Sequence, residues 1–366
     1  LEEKFDLESY LAQGVESIVS GILKTTAKDP RESRFMLGFA AQSRRADRLR
    51  RQAAEDDLHV PPFLIASITT RCNLHCQGCY ARANHSCFDG GAETSPEMLA
   101  AARWNELFTQ AEELGVSFIL LAGGEPLLRR DVLEAAGVHP KIVFPIFTNG
   151  TLLDGDCLAL LERRRNLVPV LSIEGEQTAT DRRRGEGVYD RLHAAMADLA
   201  GRGLLFGASV TVTRQNAAEV LSDAFAAELR DSGCRVVIYV EYVPVDRASR
   251  ELAPDESTRA QAARRLCELR LAFPELLAVS FPGDERESGG CLAAGRGFFH
   301  INPWGGAEPC PFSPYSDCNV AHASLAQALR SPFFQKLREQ GNLEGEHIGG
   351  CVLFEREEQV RALLRK

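Results

Sequence analysis

The chain has 366 residues, with 42 Lys+Arg against 51 Asp+Glu and a formal charge of −9. Apolar residues make up 45% and charged residues 25%, an ordinary globular mix that excludes wholesale disorder. The acidic balance argues against a nucleic-acid protein held by bulk charge, and no apolar run approaches the roughly 18–20 residues that span a bilayer.

Residues 1–58 are rich in Glu, Arg, Ala and Leu. Leu7, Leu11, Val15, Ile18 and Ile22 recur at helical steps, and a second helix is expected over 35–57 with its arginines in solvent. Pro61-Pro62 ends this segment. Strands are then predicted near 63–69, 117–121, 142–147, 168–173, 206–213 and 236–243, with helices near 96–114, 155–165, 189–201 and 217–230 between them. Thr94-Ser95-Pro96 reads as a helix start. A helix near 255–271 closes this part. Nearly all-apolar strands alternating with helices imply a parallel sheet covered by helices, with ligand sites at the carboxyl ends of its strands. From about 286 Gly, Pro and Cys rise. A strand-like piece at 298–302 and helices near 324–340 and 355–365 end the chain. The division expected is 1–58, 59–285 and 286–366.

Cysteine is the informative count. There are eleven, an odd number, and the opening LEEKFDLESYLAQG has no export pattern. A disulfide framework is not expected, and a reducing, cytoplasmic setting is. Cys72, Cys76 and Cys79 follow the first predicted strand with spacing C-x3-C-x2-C. Thiolates so spaced suit zinc or an iron–sulfur cluster. Structural zinc wants a fourth ligand, and only His75 or Cys87 is near. Three thiolates on a cubane leave one iron open.

This pattern resembles the radical S-adenosylmethionine (radical SAM) superfamily, and further motifs agree in order. Gly123-Gly124-Glu125-Pro126 is similar to the GGEP segment that holds the methionine amino group. The glycines would let backbone approach it, and the carboxylate would accept from the ammonium. Asn149-Gly150 follows the third strand. Ser172 and Glu174 resemble the ribose-contacting segment, and Arg184 the arginine that meets the methionine carboxylate. Glu241 ends the sixth strand, in Val240–Pro244, where adenine rests on backbone. Gly78 departs from the family, which often places an aromatic before the third Cys; Tyr80 is the expected substitute for adenine contact.

Cys291, Cys310, Cys318 and Cys351, with Gly305-Gly306 and Ser331-Pro332-Phe333-Phe334, resemble the SPASM or twitch extensions that carry an auxiliary cluster. A full SPASM module has seven Cys, so a shortened module with one auxiliary 4Fe–4S cluster is expected. The alternatives are three ligands with one Cys idle, or structural zinc. Cys87, just past the first thiol loop, is either a hydrogen donor or substrate contact, or a plain loop cysteine. Cys157, Cys234 and Cys267 are expected to be buried packing residues.

The resemblance implies a partial (β/α)6 barrel, TIM-barrel-like, with a small C-terminal α/β module and an N-terminal helical segment. It implies an enzyme that reductively cleaves S-adenosylmethionine at a 4Fe–4S cluster. The deoxyadenosyl radical so formed abstracts hydrogen from a peptide or protein, or alternatively from a small molecule. An electron donor such as flavodoxin or ferredoxin is implied; a nucleic-acid partner is not. The reading from a different class is a zinc-stabilised, non-enzymatic α/β binding protein.

Overall fold

A computed structural model describes residues 7–25, 30–88, 97–244, 248–281, 290–339, 343 and 351–364. Two long helices come first, α1 (Leu7–Thr25) and α2 (Pro30–Glu55). Strands and helices then alternate: β1 (Phe63–Ser67), α3 (Tyr80–Ala83), α4 (Ala101–Leu114), β2 (Phe118–Ala122), α5 (Arg130–Gly137), β3 (Phe144–Thr148), α6 (Gly155–Arg163) and β4 (Leu167–Ser172). Next come α7 (Gln177–Arg184), α8 (Val188–Gly201), β5 (Gly207–Val212), α9 (Ala217–Val220), α10 (Asp223–Asp231), β6 (Val236–Glu241), α11 (Glu256–Ala272) and β7 (Leu277–Phe281). The C-terminal part holds β8 (His300–Ile301), β9 (Ala307–Glu308), α12 (Leu325–Leu329), α13 (Pro332–Glu339), α14 (Val352–Glu355) and α15 (Glu357–Leu364).

Among the described residues one sheet contains every strand, in the order β7-β6-β5-β4-β3-β2-β1-β8-β9. The first seven are parallel and strictly sequential. Such an order never doubles back, so right-handed crossovers place the connecting helices on one face, as in a barrel rather than a doubly wound sheet. Among the described residues the sheet does not close. The sequence predicts six strands and the structure has a seventh, Leu277–Phe281. The helices predicted at 217–230 and 324–340 are each broken in two, and α5 and α7 are additional. The Thr94-Ser95-Pro96 start lies outside the described residues.

Strand parity explains how this sheet differs from one covered on both faces. Ile119, Leu121, Ile146, Val237 and Tyr239 point at the helices and are buried. Their neighbours Ile65, Leu120, Phe147, Ile238 and Val240 point the other way and are only half-buried. The inner face is an apolar wall, and the residues that follow it in register reach the mouth formed by the carboxyl ends.

The opposite end is plugged by α1 and α2. Val15, Val19, Ile22, Met36 and Phe39 form one core with Phe118, Val143, Val168 and Leu205, with Val236 and Leu277 packed on it. These sheet residues start, or lie within two residues of the start of, their strands. Phe39 meets Phe118 edge-on at 5.4 Å, and Phe63 stacks on Phe118 at 5.2 Å. Arg50 is a buried exception on the otherwise solvated arginine face of α2, donating to Gly115 O at 2.7 Å. Phe39→Ala is expected to cost about 3–5 kcal/mol, because it opens a cavity in the core beside Phe118. Denaturant unfolding of the two proteins checks this.

The C-terminal part extends the sheet rather than hanging from it. Strand β8 pairs with β1 in parallel, Ile65 opposite His300, and β9 folds back antiparallel. Arg103 of α4 donates to Val320 O and Ala323 O. A capping box of Ser324 and Gln327 starts α12.

Candidate active site

The loop leaving β1 keeps the alternation of a strand. Cys72, Leu74, Cys76 and Gly78 are half-buried, while Arg71, Asn73, His75 and Gln77 between them are exposed. Cys72, Cys76 and the nearby Cys79 therefore lie on the covered side of the loop. Four hydrogen bonds hold it and its approach. Asn149 Nδ2 donates to Asn73 Oδ1 at 2.9 Å. Gln77 N donates to Arg183 O at 2.8 Å, at the end of α7. Glu125 N donates to Arg71 O at 2.8 Å, and Gly124 N to Thr69 O at 2.9 Å.

The glycine pair has a structural reason beside the one the sequence suggested. A Cβ on Gly124 would sit 2.1 Å from Arg71 O, and one on Gly123 2.5 Å from Thr69 O. The space a side chain needs is filled by the thiol loop's own backbone, so the glycines let chain cross chain.

Glu125 is buried and already occupied. Its Oε1 accepts from Leu127 N at 3.0 Å and from the Thr148 hydroxyl at 2.7 Å, and its Oε2 accepts from Asn149 N at 2.8 Å. Burial pushes its carboxyl up, against the pull of these donors and of Arg184. About one lone pair on Oε2 is left for an ammonium donor. Pro126 opens the short 3-10 turn that Glu125 caps. Asn149 is likewise engaged, accepting from Thr151 while holding Asn73. Its side chain positions the thiol loop.

Glu174 and Arg184 meet at the end of β4. Arg184 Nε donates to Glu174 Oε1 at 2.9 Å, and Arg183 pairs with the same oxygen. Burial works against the Arg184 charge, but Glu174 and the thiols of Cys76 and Cys79 outweigh it and hold its pKa above the usual value. Ser172 stands two residues earlier on the same inward parity and is half-buried.

Strand parity separates Glu241 from the mouth. It is odd-numbered like Val237 and Tyr239, so its side chain turns outward to Arg259 of α11, 2.5 Å away. Tyr242 turns inward instead. Its hydroxyl lies 2.4 Å from where a Gly78 Cβ would be, and the Arg183 guanidinium lies 6.0 Å from its ring centroid. Gly78, at φ +67°, leaves the room that Tyr242 fills. Sequence reasoning passed over Tyr242, although the period-two pattern of β6 carried the signal. It passed over Arg183 and Ser67 as well.

The Tyr80 ring packs edge-on against Phe312 at 5.3 Å, and Asn84 Nδ2 of the same turn donates to Pro311 O at 2.8 Å. Cys87 is buried, and its thiol lies near the Cys72 thiol and the Tyr80 phenol. Burial is the main reason the Cys72 thiol is pushed up to about 12, with Glu125, Cys87 and Cys76 adding to it. A protein that uses Cys72 as a thiolate must compensate it with bound positive charge.

In the C-terminal part Cys291, Cys310 and Cys351 are buried. Ala294 N donates to Pro309 O at 3.1 Å, which lays the Cys291 turn beside the Cys310 turn. Cys318 is half-buried on a cleft of about 400 Å³ that Asn302, Trp304 and Asp317 also line. Cys157 and Cys234 are buried packing residues as expected. Cys267 is exposed, because on α11 its neighbours Leu266 and Leu269 face the sheet. No cysteine is in a disulfide among the described residues.

A one-way parallel sheet whose carboxyl-end mouth gathers a three-thiol loop, an acid-capped GGEP turn and a buried arginine has the layout of a radical SAM core. Residues 66–227 match the family model of the Radical SAM superfamily, so the chain carries a radical SAM domain. The chain is 26% identical over 314 residues to the AdoMet-dependent heme synthase of Methanosarcina barkeri, covering 78% of this chain and 87% of that one. It is 28% identical over 261 residues to the PqqA peptide cyclase of Gluconobacter oxydans, covering 68% and 70%. The Streptococcus suis SuiB structure, bound to precursor peptide SuiA, shares the fold with a TM-score of 0.63 at 16% identity, covering 81% and 70%.

Enzymes of this superfamily use S-adenosylmethionine and a 4Fe–4S cluster. The mouth fits such a pair. The Tyr242 hydroxyl and Glu174 Oε2 are buried without a partner among the described residues, two polar atoms left for a ligand. Among the described residues no three His, Cys, Asp or Glu side chains converge as a single ion would require. A cubane distributes its thiolates over several irons, so they need not meet at one point.

Proposed function

We propose that this radical SAM enzyme modifies a peptide or protein, with Cys72, Cys76 and Cys79 as the ligands of its S-adenosylmethionine-cleaving cluster. The observation that carries the ligand assignment is the common covered side of the three thiols beside Arg184 and Glu125. The similarity to a peptide cyclase across 68% of the chain supports the substrate class.

When bound, the cluster and S-adenosylmethionine supply reductive cleavage of a carbon–sulfur bond and a deoxyadenosyl radical that takes hydrogen from substrate. The chain's own residues do the rest. Arg184, set by Glu174, offers its charge to a carboxylate. The remaining lone pair of Glu125 faces an ammonium. Ser172, Glu174 Oε2 and the Tyr242 hydroxyl offer polar contacts for ribose and base, as does the backbone at Glu241 and Tyr242. Gly123, Gly124, Pro126 and Asn149 keep the thiol loop in place for these contacts. Cys87 lies beside the loop as a candidate substrate-side thiol. Tyr80 bears on the loop from the side of the C-terminal part, its ring against Phe312.

The C-terminal thiols fit an auxiliary 4Fe–4S cluster held by Cys291, Cys310 and Cys351, with Cys318 as fourth ligand or idle. The open cleft around Cys318 favours the three-ligand form. Cys318→Ser is then expected to keep iron within about one atom per chain of the parent, whereas Cys310→Ala should lose about four. Iron and sulfide assay of both variants checks this.

A second reading, radical chemistry on a tetrapyrrole, is favoured by the heme synthase match, in which 87% of that protein is covered. The test is 5′-deoxyadenosine formation after anaerobic reconstitution, with a library of short peptides or with an iron porphyrin. Stimulation several-fold above background by peptides only supports the first reading; stimulation by the porphyrin only supports the second. A low-potential electron donor of the flavodoxin or ferredoxin type and a cytoplasmic setting complete the proposal. No helix among the described residues is long and apolar enough to cross a membrane.

A further inference from the structure

A chain of buried polar groups ties the C-terminal hairpin to the thiol loop. Ser67 Oγ, on the inner face at the end of β1, is 2.7 Å from His300 Nε2 on β8. His300 Nδ1 is 2.7 Å from Glu308 Oε2 on β9, and Asn302 Nδ2 donates to Glu308 Oε1 at 2.6 Å. Ser67 and His300 are each 2% exposed and Glu308 is 5% exposed. On the other side Ser67 neighbours the phenol of Tyr80, the residue that follows Cys79, closely enough to act on it electrostatically. The same α3 turn is clamped to residues 311 and 312 by Asn84 and by the Tyr80–Phe312 contact.

Burying a carboxylate and an imidazole costs several kcal/mol unless each is paired. An apolar pair would hold the hairpin to β1 at lower cost, so the arrangement is explained by what it orients rather than by stability.

We propose that His300, held by Glu308 and acting through Ser67, is a positioning residue that fixes Tyr80 and thereby Cys79 for S-adenosylmethionine binding. The hairpin beside the Cys310 turn thus sets the geometry of the radical-cluster loop more than 200 residues earlier in the chain. This rests on the function proposed above.

The test is a double-mutant cycle on the reconstituted full chain, using His300→Ala, Tyr80→Phe and both together, with His300→Gln as the conservative variant. S-adenosylmethionine affinity is read by anaerobic equilibrium dialysis, and the EPR spectrum of the reduced protein is recorded with and without S-adenosylmethionine. Iron and sulfide per chain should match the parent. His300→Ala should weaken binding about tenfold and diminish the spectral change on S-adenosylmethionine addition. Tyr80→Phe should do the same, and the double variant should be no worse than either single one. His300→Gln, which keeps a donor and an acceptor, should recover most of the affinity. Additive losses, or an unchanged affinity and spectrum in His300→Ala, would overturn the proposal. If His300→Ala fails to fold, His300→Gln and Tyr80→Phe decide it, since neither leaves a large void: parental affinity in Tyr80→Phe, or tenfold loss in His300→Gln, sinks it. A parent chain that takes up no cluster and binds no S-adenosylmethionine would instead overturn the functional reading, and this inference with it.

Discussion

Cys76→Ala is expected to remove about four irons per chain and to abolish S-adenosylmethionine cleavage, while the C-terminal cluster stays loaded. The thiol sits between Cys72 and Cys79 on the covered side of the loop and is one of the groups facing Arg184. Alanine removes the ligand and leaves the fold intact, because the loop is held by Asn73, Gln77 and Arg71 contacts that do not use Cys76. Iron, labile sulfide and 5′-deoxyadenosine, measured on parent and variant in parallel, check the expectation. Parental cleavage rates in Cys76→Ala would remove the three-thiol assignment, and Cys72→Ala and Cys79→Ala should behave alike.

Gly124→Ala is expected to be nearly as damaging, for a reason that has nothing to do with ligation. One methyl group would stand 2.1 Å from Arg71 O and 2.5 Å from the Arg71 carbonyl carbon. Both are backbone, so no rotamer change relieves the clash, and either β2's exit or the thiol loop must move. Overpacking by one carbon ordinarily costs about 1–3 kcal/mol. Here it also breaks the Gly124–Thr69 and Glu125–Arg71 hydrogen bonds, so a loss of about 3 kcal/mol or more is expected. Denaturant unfolding of the metal-free chain reads that loss. Cluster uptake should fall with it, since Cys72 adjoins Arg71. A variant as stable as the parent would mean that the crossing is looser than its geometry.

The two variants separate chemistry from scaffolding at one motif. The first leaves a stable chain that cannot hold the cluster. The second leaves all three thiols and spoils the path of the loop that carries them. Glu125 belongs with the scaffold as much as with the ligand, because three protein donors already share its carboxylate.

Much of this site was legible in the sequence because its parts are local. Cys72, Cys76 and Cys79 span eight residues, so no fold can carry them far apart. Apolar strands alternating with helices determined a parallel sheet. Motifs placed just after the strands could then only gather at the carboxyl ends. The tertiary structure decided what depends on pairings between distant segments. Glu241 and Tyr242 are adjacent, and only the sheet's inner and outer faces send one to α11 and the other to Gly78. The half-buried inner wall follows from helices packing on one face alone. The N-terminal helices became a plug because the strand starts Phe118, Val236 and Leu277 left an apolar end to cover. Ser67 and His300 carry no motif; they meet because β8 adds to the free edge of β1. Local spacing is bounded by the length of the chain between two residues, whereas contacts across hundreds of residues are set by which surfaces must be buried together.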